Sequence, residues 1–174
     1  HKDKKDSVVN EAIPEYINGK KLIPDETYVL VGYSKTPKRL KWYEENEMYN
    51  FRMDDNIGSL RLYPEVVNSQ FLLLRENGKK DAGILYKLKP GIRVFSGKKL
   101  MNEPLKHPDA TKESYLVYDF IKEDQALKAF KNVRFNFKEL DGYKQATKGK
   151  NPISAAGLPF AVTLTDLMKT VIKD

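Results

Sequence analysis

Gln70-Phe71-Leu72-Leu73-Leu74-Arg75-Glu76 is followed at once by Asn77-Gly78 and then by the segment Lys79 to Lys89. Side chains alternate faces along a strand, so the consecutive apolar residues Phe71 to Leu74 are apolar on both faces. Such a strand belongs in the middle of a sheet that is covered on both sides, by helices or by closure into a barrel. Asn-Gly tolerates the two positive φ angles of a type I′ turn, which predicts a hairpin here with Arg75 opposite Lys80.

Outward from this hairpin the chain reads as short strands between turns. Residues 28–33 (Tyr-Val-Leu-Val-Gly-Tyr) are β-branched and aromatic, and residues 48–52 alternate polar and apolar. Further strands are expected at 92–95, 115–121 and 133–137. Thr36 is an N-cap with Pro37 at the first helical position, opening a short helix through Leu40, Trp42 and Tyr43. Ser96 caps a turn of helix at 98–101, and Ala126, Leu127 and Phe130 suggest another within 123–130. Thr163 and Asp166 form a capping pair ahead of Leu164, Leu167, Met168, Val171 and Ile172, whose spacing predicts a C-terminal helix docked on the sheet. Residues 7–13 have helical spacing until Pro14, Asn18-Gly19 marks a turn, and 54–58 and 141–159 read as loops. The expected architecture is α+β: a strongly bent, mostly antiparallel sheet or small β-barrel with three or four short helices. Residues 1–6 form a polar or tag-derived tail and 7–174 a single domain.

The chain has 174 residues, no cysteine and two histidines. Absence of cysteine excludes disulfide scaffolds, thiolate zinc sites and thiol redox chemistry. Histidine occurs only at His1 and in the loop sequence Lys106-His107-Pro108-Asp109, where it reads as a surface residue. A two-histidine metal site is therefore not expected, nor any cofactor. Restriction-type nucleases need Asp/Glu-x-Lys after an upstream acid so that two carboxylates hold Mg²⁺. Asp3-Lys4-Lys5, in the tail, is the one such triplet and has no acid ahead of it. The pairs Glu44-Glu45, Asp54-Asp55 and Glu123-Asp124 point apart in regular structure and read as surface charge. No phosphate-binding glycine loop occurs. No apolar run approaches the length of a membrane helix. Cytoplasm is the expected compartment, and a first residue of His1 marks a fragment, a tagged chain or a processed form.

Formal net charge is +7. Residues 51–100 carry ten basic and five acidic groups and 101–150 ten and eight, whereas 1–50 and 151–174 are balanced. A localised surplus of this kind suits a nucleic-acid surface. Lys38, Arg39 and Lys41 at the start of the expected helix would hold an anion, with Trp42 beside them as a flat stacking surface. Arg52 and Arg61 flank the 54–58 loop, and Arg75, Lys79 and Lys80 crowd the hairpin tip. Arginine can address guanine bidentately, so these loops suit groove reading. The expectation is a nucleic-acid-binding recognition domain, DNA ahead of RNA, non-catalytic by itself and part of a larger DNA-processing or restriction-type defence protein. A protein-binding domain with a merely solvating basic surface is the first alternative, and an enzyme using carboxylate, Lys or Tyr chemistry the second.

Overall fold

Residues 27–52, 64–79, 81–122, 133–140 and 160–172 are described by the structure, a computed structural model. Among these described residues six strands form one mixed sheet: β1 (Tyr28–Ser34), β2 (Met48–Arg52), β3 (Phe71–Glu76), β4 (Gly83–Ser96), β5 (Ser114–Ile121) and β6 (Phe160–Thr163). Their order is β2-β5-β4-β3-β1-β6. β1 and β3 run parallel, while every other neighbouring pair is antiparallel. The parallel pair follows from the long return between them, which contains α1 (Pro37–Asn46), β2 and α2 (Pro64–Val67) and so allows a crossover. Edge strands β2 and β6 do not pair with each other, so the α+β sheet is open and the barrel alternative is corrected. Two further helices, α3 (Gly97–Met101) and α4 (Leu164–Lys169), follow β4 and β6 directly.

The two-faced reading of residues 71–74 holds. Phe71 and Leu73 pack with Val29, Val31 and Leu85 in one core, which Phe135, Phe137, Leu164 and Leu167 cover. Leu72 and Leu74 face the opposite core, with Leu30, Tyr86, Trp42, Tyr43, Tyr49 and Phe51. Each such side chain contributes about 1.5–3 kcal/mol on burial, which is why this strand occupies the sheet interior. α4 brings Leu164 and Leu167 onto the first of these cores, as the C-terminal apolar spacing implied.

Several local expectations are corrected. Arg75 pairs with Gly83 and not with Lys80, so the connection is longer than a two-residue turn. Lys79 N–H donates to Glu76 C=O at 3.1 Å, and only Gly78 of the two turn residues has positive φ, at 89°. A type I′ turn needs positive φ at both central residues, so the turn is not of that kind. Gly78→Ala should lower stability by about 1 kcal/mol through this φ alone, since a Cβ there would touch nothing within 4 Å. Urea unfolding would measure it.

The two strands expected between 79 and 95 are one strand, β4, with a register shift between Leu88 and Ile92 where Pro90-Gly91 interrupts the ladder. Residues 133–137 form only single bridges, Arg134 to Ala82 and Phe135 to Val171, before a 3-10 turn over Phe137–Glu139. α4 stops at Lys169 because Thr170 turns its hydroxyl back onto Leu167 C=O, which leaves Val171 and Ile172 beyond the helix. α2 and β6 have no counterpart in the sequence reading. The tail, the 7–13 and 123–130 helices, the Asn18-Gly19 turn and the 54–58 and 141–159 loops lie outside the described residues.

Candidate functional site

α1 begins as its sequence implies: Thr36 Oγ1 accepts the N–H of Arg39 at 3.2 Å, and Pro37 opens the first turn. It ends at Glu47, whose left-handed φ of 51° lets its N–H close on Tyr43 C=O. Between these caps the helix lays Trp42 and Tyr43 on the sheet. Trp42 Nε1–H donates to Leu105 C=O at 2.6 Å, and its ring centroid lies 4.5 Å from that of His107. Tyr43 meets the ring of Tyr49 edge-on at 5.2 Å. These contacts bind α1 to the segment after α3, where His107 N–H donates to Leu100 C=O at 2.7 Å. Gly97, at the start of α3, sits against the carbonyl oxygens of Lys112 and Ala110, and a Cβ would collide with that backbone.

A cleft of about 100 Å³ opens between α1, β2 and residues 107–115, and Arg39, Asn50, Arg52, His107, Asp109 and Lys112 supply its polar lining. Thr111 and the rings of Tyr33, Tyr43, Tyr49, Phe51 and Tyr115 complete the walls. Arg39 Nε reaches both carboxylate oxygens of Asp109, at 2.8 and 2.9 Å. The remaining cations, Arg52 and Lys112, have no carboxylate partner among the described residues. Arg52 Nε is buried without a hydrogen-bond partner there.

His107 is 4% exposed, and both ring nitrogens are engaged. Asp109 N–H donates to Nδ1 at 3.1 Å, so Nδ1 carries a lone pair and the proton sits on Nε2. Nε2–H therefore donates to Asn50 Oδ1 at 3.1 Å. Burial is the main reason the His107 pKa falls to about 4; the Asp109 carboxylate opposes that shift and Arg39 adds to it. The ring is neutral at neutral pH. Burial likewise pushes Tyr43 above its ordinary range and Tyr49 up to about 12, so both phenols keep their protons. Neutral phenols and a histidine with both nitrogens occupied suit binding better than proton transfer. Among the described residues no group of three or more His, Asp or Glu is placed to hold a metal ion.

The candidate residues from the sequence divide. Arg39 and Arg52 come together in the cleft. Arg39 is turned into its pair with Asp109 and is not a free anion ligand at the helix start. Lys38 and Lys41 lie exposed on α1, Lys41 3.7 Å from Glu45. Lys79 is exposed and pairs with Glu76 at 2.6 Å. Trp42 is 5% exposed, so it is core and offers no open stacking face. Arg75, placed at the hairpin tip by the sequence reading, is 3% exposed and lies between the rings of Tyr33 and Phe137, 5.4 Å from each centroid. Arg61 and Lys80 lie outside the described residues.

Sequence reasoning passed over Asn50, Asp109 and Lys112 and put His107 on the surface. Arg52 was singled out for flanking the 54–58 loop, whereas the alternation over 48–52 places Asn50, two residues earlier, on the same face of the strand. For residues 107–112 no local pattern was available, because their partners lie on α1 and β2.

No family model and no curated protein matches the chain. Among solved structures it is similar to a mutant of the ASCH protein from Zymomonas mobilis. The TM-score is 0.41 at 13% identity, over 84% of this chain and 94% of that one. Among the described residues no helix is long and apolar enough to cross a membrane.

Proposed function

We propose that this chain is a nucleic-acid-binding domain, non-catalytic by itself, which receives a strand at the cleft between β2 and residues 107–115. The supporting observation is the cleft lining: three cations, Arg39, Arg52 and Lys112, against the single carboxylate of Asp109, beside aromatic walls. Asp109 neutralises Arg39, so Arg52 and Lys112 remain to face phosphate. Phosphate contacts of this kind supply affinity and its salt dependence. DNA is the first partner in this reading, within a larger DNA-processing protein, and RNA is the comparison.

Fluorescence anisotropy against single- and double-stranded DNA and RNA over a salt series tests it. Log affinity should fall linearly with log salt, and Arg52→Ala and Lys112→Ala should each reduce the slope by about 1. Charge removal at Lys41, which already has a carboxylate neighbour, should have a smaller effect. Absence of binding at low salt, or slopes unchanged in both cleft variants, would overturn the reading.

A further inference from the structure

The hydrogen-bond chain behind the cleft sets the orientation of one further group. The Asp109 N–H occupies His107 Nδ1, which puts the ring proton on Nε2. A proton on Nε2 requires an acceptor, so the Asn50 amide must present Oδ1 to it, as observed at 3.1 Å. Asn50 is 6% exposed and lines the cleft. With Oδ1 committed to His107, the amide's NH₂ group is left with no hydrogen-bond partner among the described residues. The amide nitrogen is not one of the buried polar atoms that lack a partner, so it reaches the solvent of the cleft, where an acceptor on a ligand can take the place of water. Trp42 packs on the His107 ring and Leu100 C=O holds its backbone, so the donor is held in place.

From this we infer that Asn50 is a specificity-determining residue that donates a hydrogen bond to an acceptor on a nucleobase, preferentially an exocyclic carbonyl, while His107 acts as its positioning residue. This rests on the nucleic-acid reading above. The usual asparagine-adenine pairing uses the amide oxygen and nitrogen together. Here the oxygen is spent on His107, so Asn50 acts as a donor only and the two-point adenine pattern is closed to it. Thymine, cytosine and guanine each carry a carbonyl that fits. Phosphate held by Arg52 and Lys112 would bring the base of the same nucleotide to the aromatic walls and the amide.

Ten-nucleotide abasic DNA strands carrying one base, either thymine, cytosine, guanine or adenine, or one phenyl group in its place, separate the contributions. Phenyl stacks but accepts no hydrogen bond. At low salt the protein should bind at least one carbonyl-bearing strand about tenfold more tightly than the phenyl strand. In Asn50→Asp, which keeps an oxygen for His107 but loses the NH₂, that ratio should fall to about one, whatever the added charge does to all strands alike. Should that variant fail to fold, the Asn50 side-chain NH₂ resonances of the unsubstituted protein give the same answer. They should move with the preferred strand and stay in place with the phenyl strand. A ratio near one in the unsubstituted protein, a ratio that survives in Asn50→Asp, or NH₂ resonances that ignore the base would overturn the assignment and leave the nucleic-acid reading intact. Failure to bind even the fully based strand at low salt would remove both.

Discussion

Trp42→Ala should lower the stability of the fold by about 4 kcal/mol, the range expected when a buried tryptophan is truncated. Three losses combine. The ring is 5% exposed in the core on the β2 side, so its removal leaves a cavity beside Tyr43 and His107. The Leu105 carbonyl, which accepts from Nε1–H at 2.6 Å, loses its donor. His107 also loses the surface against which its ring is fixed, so the cleft loosens together with the core. Urea denaturation measures the effect as a lower midpoint with an unchanged slope. If Trp42 were an exposed platform for a base, the same substitution would change stability by less than about 0.5 kcal/mol and would reduce binding alone.

Lowering the pH from 7.5 to 5 should destabilise the fold by about 2 kcal/mol through His107. Its pKa is about 4 in the folded chain, against 6.5 for an unburied histidine. Above 6.5 the ring is neutral in both states and contributes no pH dependence. Between 6.5 and 4 the unfolded chain takes up a proton that the folded chain refuses, so stability falls as the pH falls. Below 4 both states are protonated and the loss levels off. Burial of the ring is the main structural reason; in addition, a proton on Nδ1 would face the Asp109 N–H, donor against donor. Unfolding midpoints measured between pH 5 and 7.5, above the range where most carboxylates titrate, should show this slope in the native sequence. His107→Gln should flatten it. An equal slope in that variant would mean that His107 is not the group responsible.

Features that depend on residues within a turn of one another were legible. Thr36, Ser96 and Thr163 each cap the helix that follows by accepting the N–H three residues on. Residues 71–74 are buried on both faces, as their unbroken apolar run required. Where a turn residue and the strand register had to agree, local chemistry was insufficient. Asn77-Gly78 is a turn, but the pairing of Arg75 with Gly83 is set by the fit of Leu72 to Tyr86 and Leu73 to Leu85, farther along the ladder.

Charge location was read less well, and for a physical reason. A lysine or arginine in a sequence carries its charge but not its neighbours. Arg75 proved to lie between two rings, and Arg39 was claimed by a carboxylate 70 positions away. Composition excluded cysteine chemistry at once, because a thiol that the sequence lacks cannot be supplied by folding. Apolar periodicity and caps determined β1, β2, β3 and β5 and the starts of α1, α3 and α4, because those energies act over a few residues. The parallel pairing of β1 with β3, the burial of Trp42 and His107, and the tautomer that turns Asn50 into a donor were decided only by tertiary structure. Each depends on groups brought together across long intervals of chain, as with Asn50 and His107, 57 residues apart, and closing those intervals requires the packed core itself.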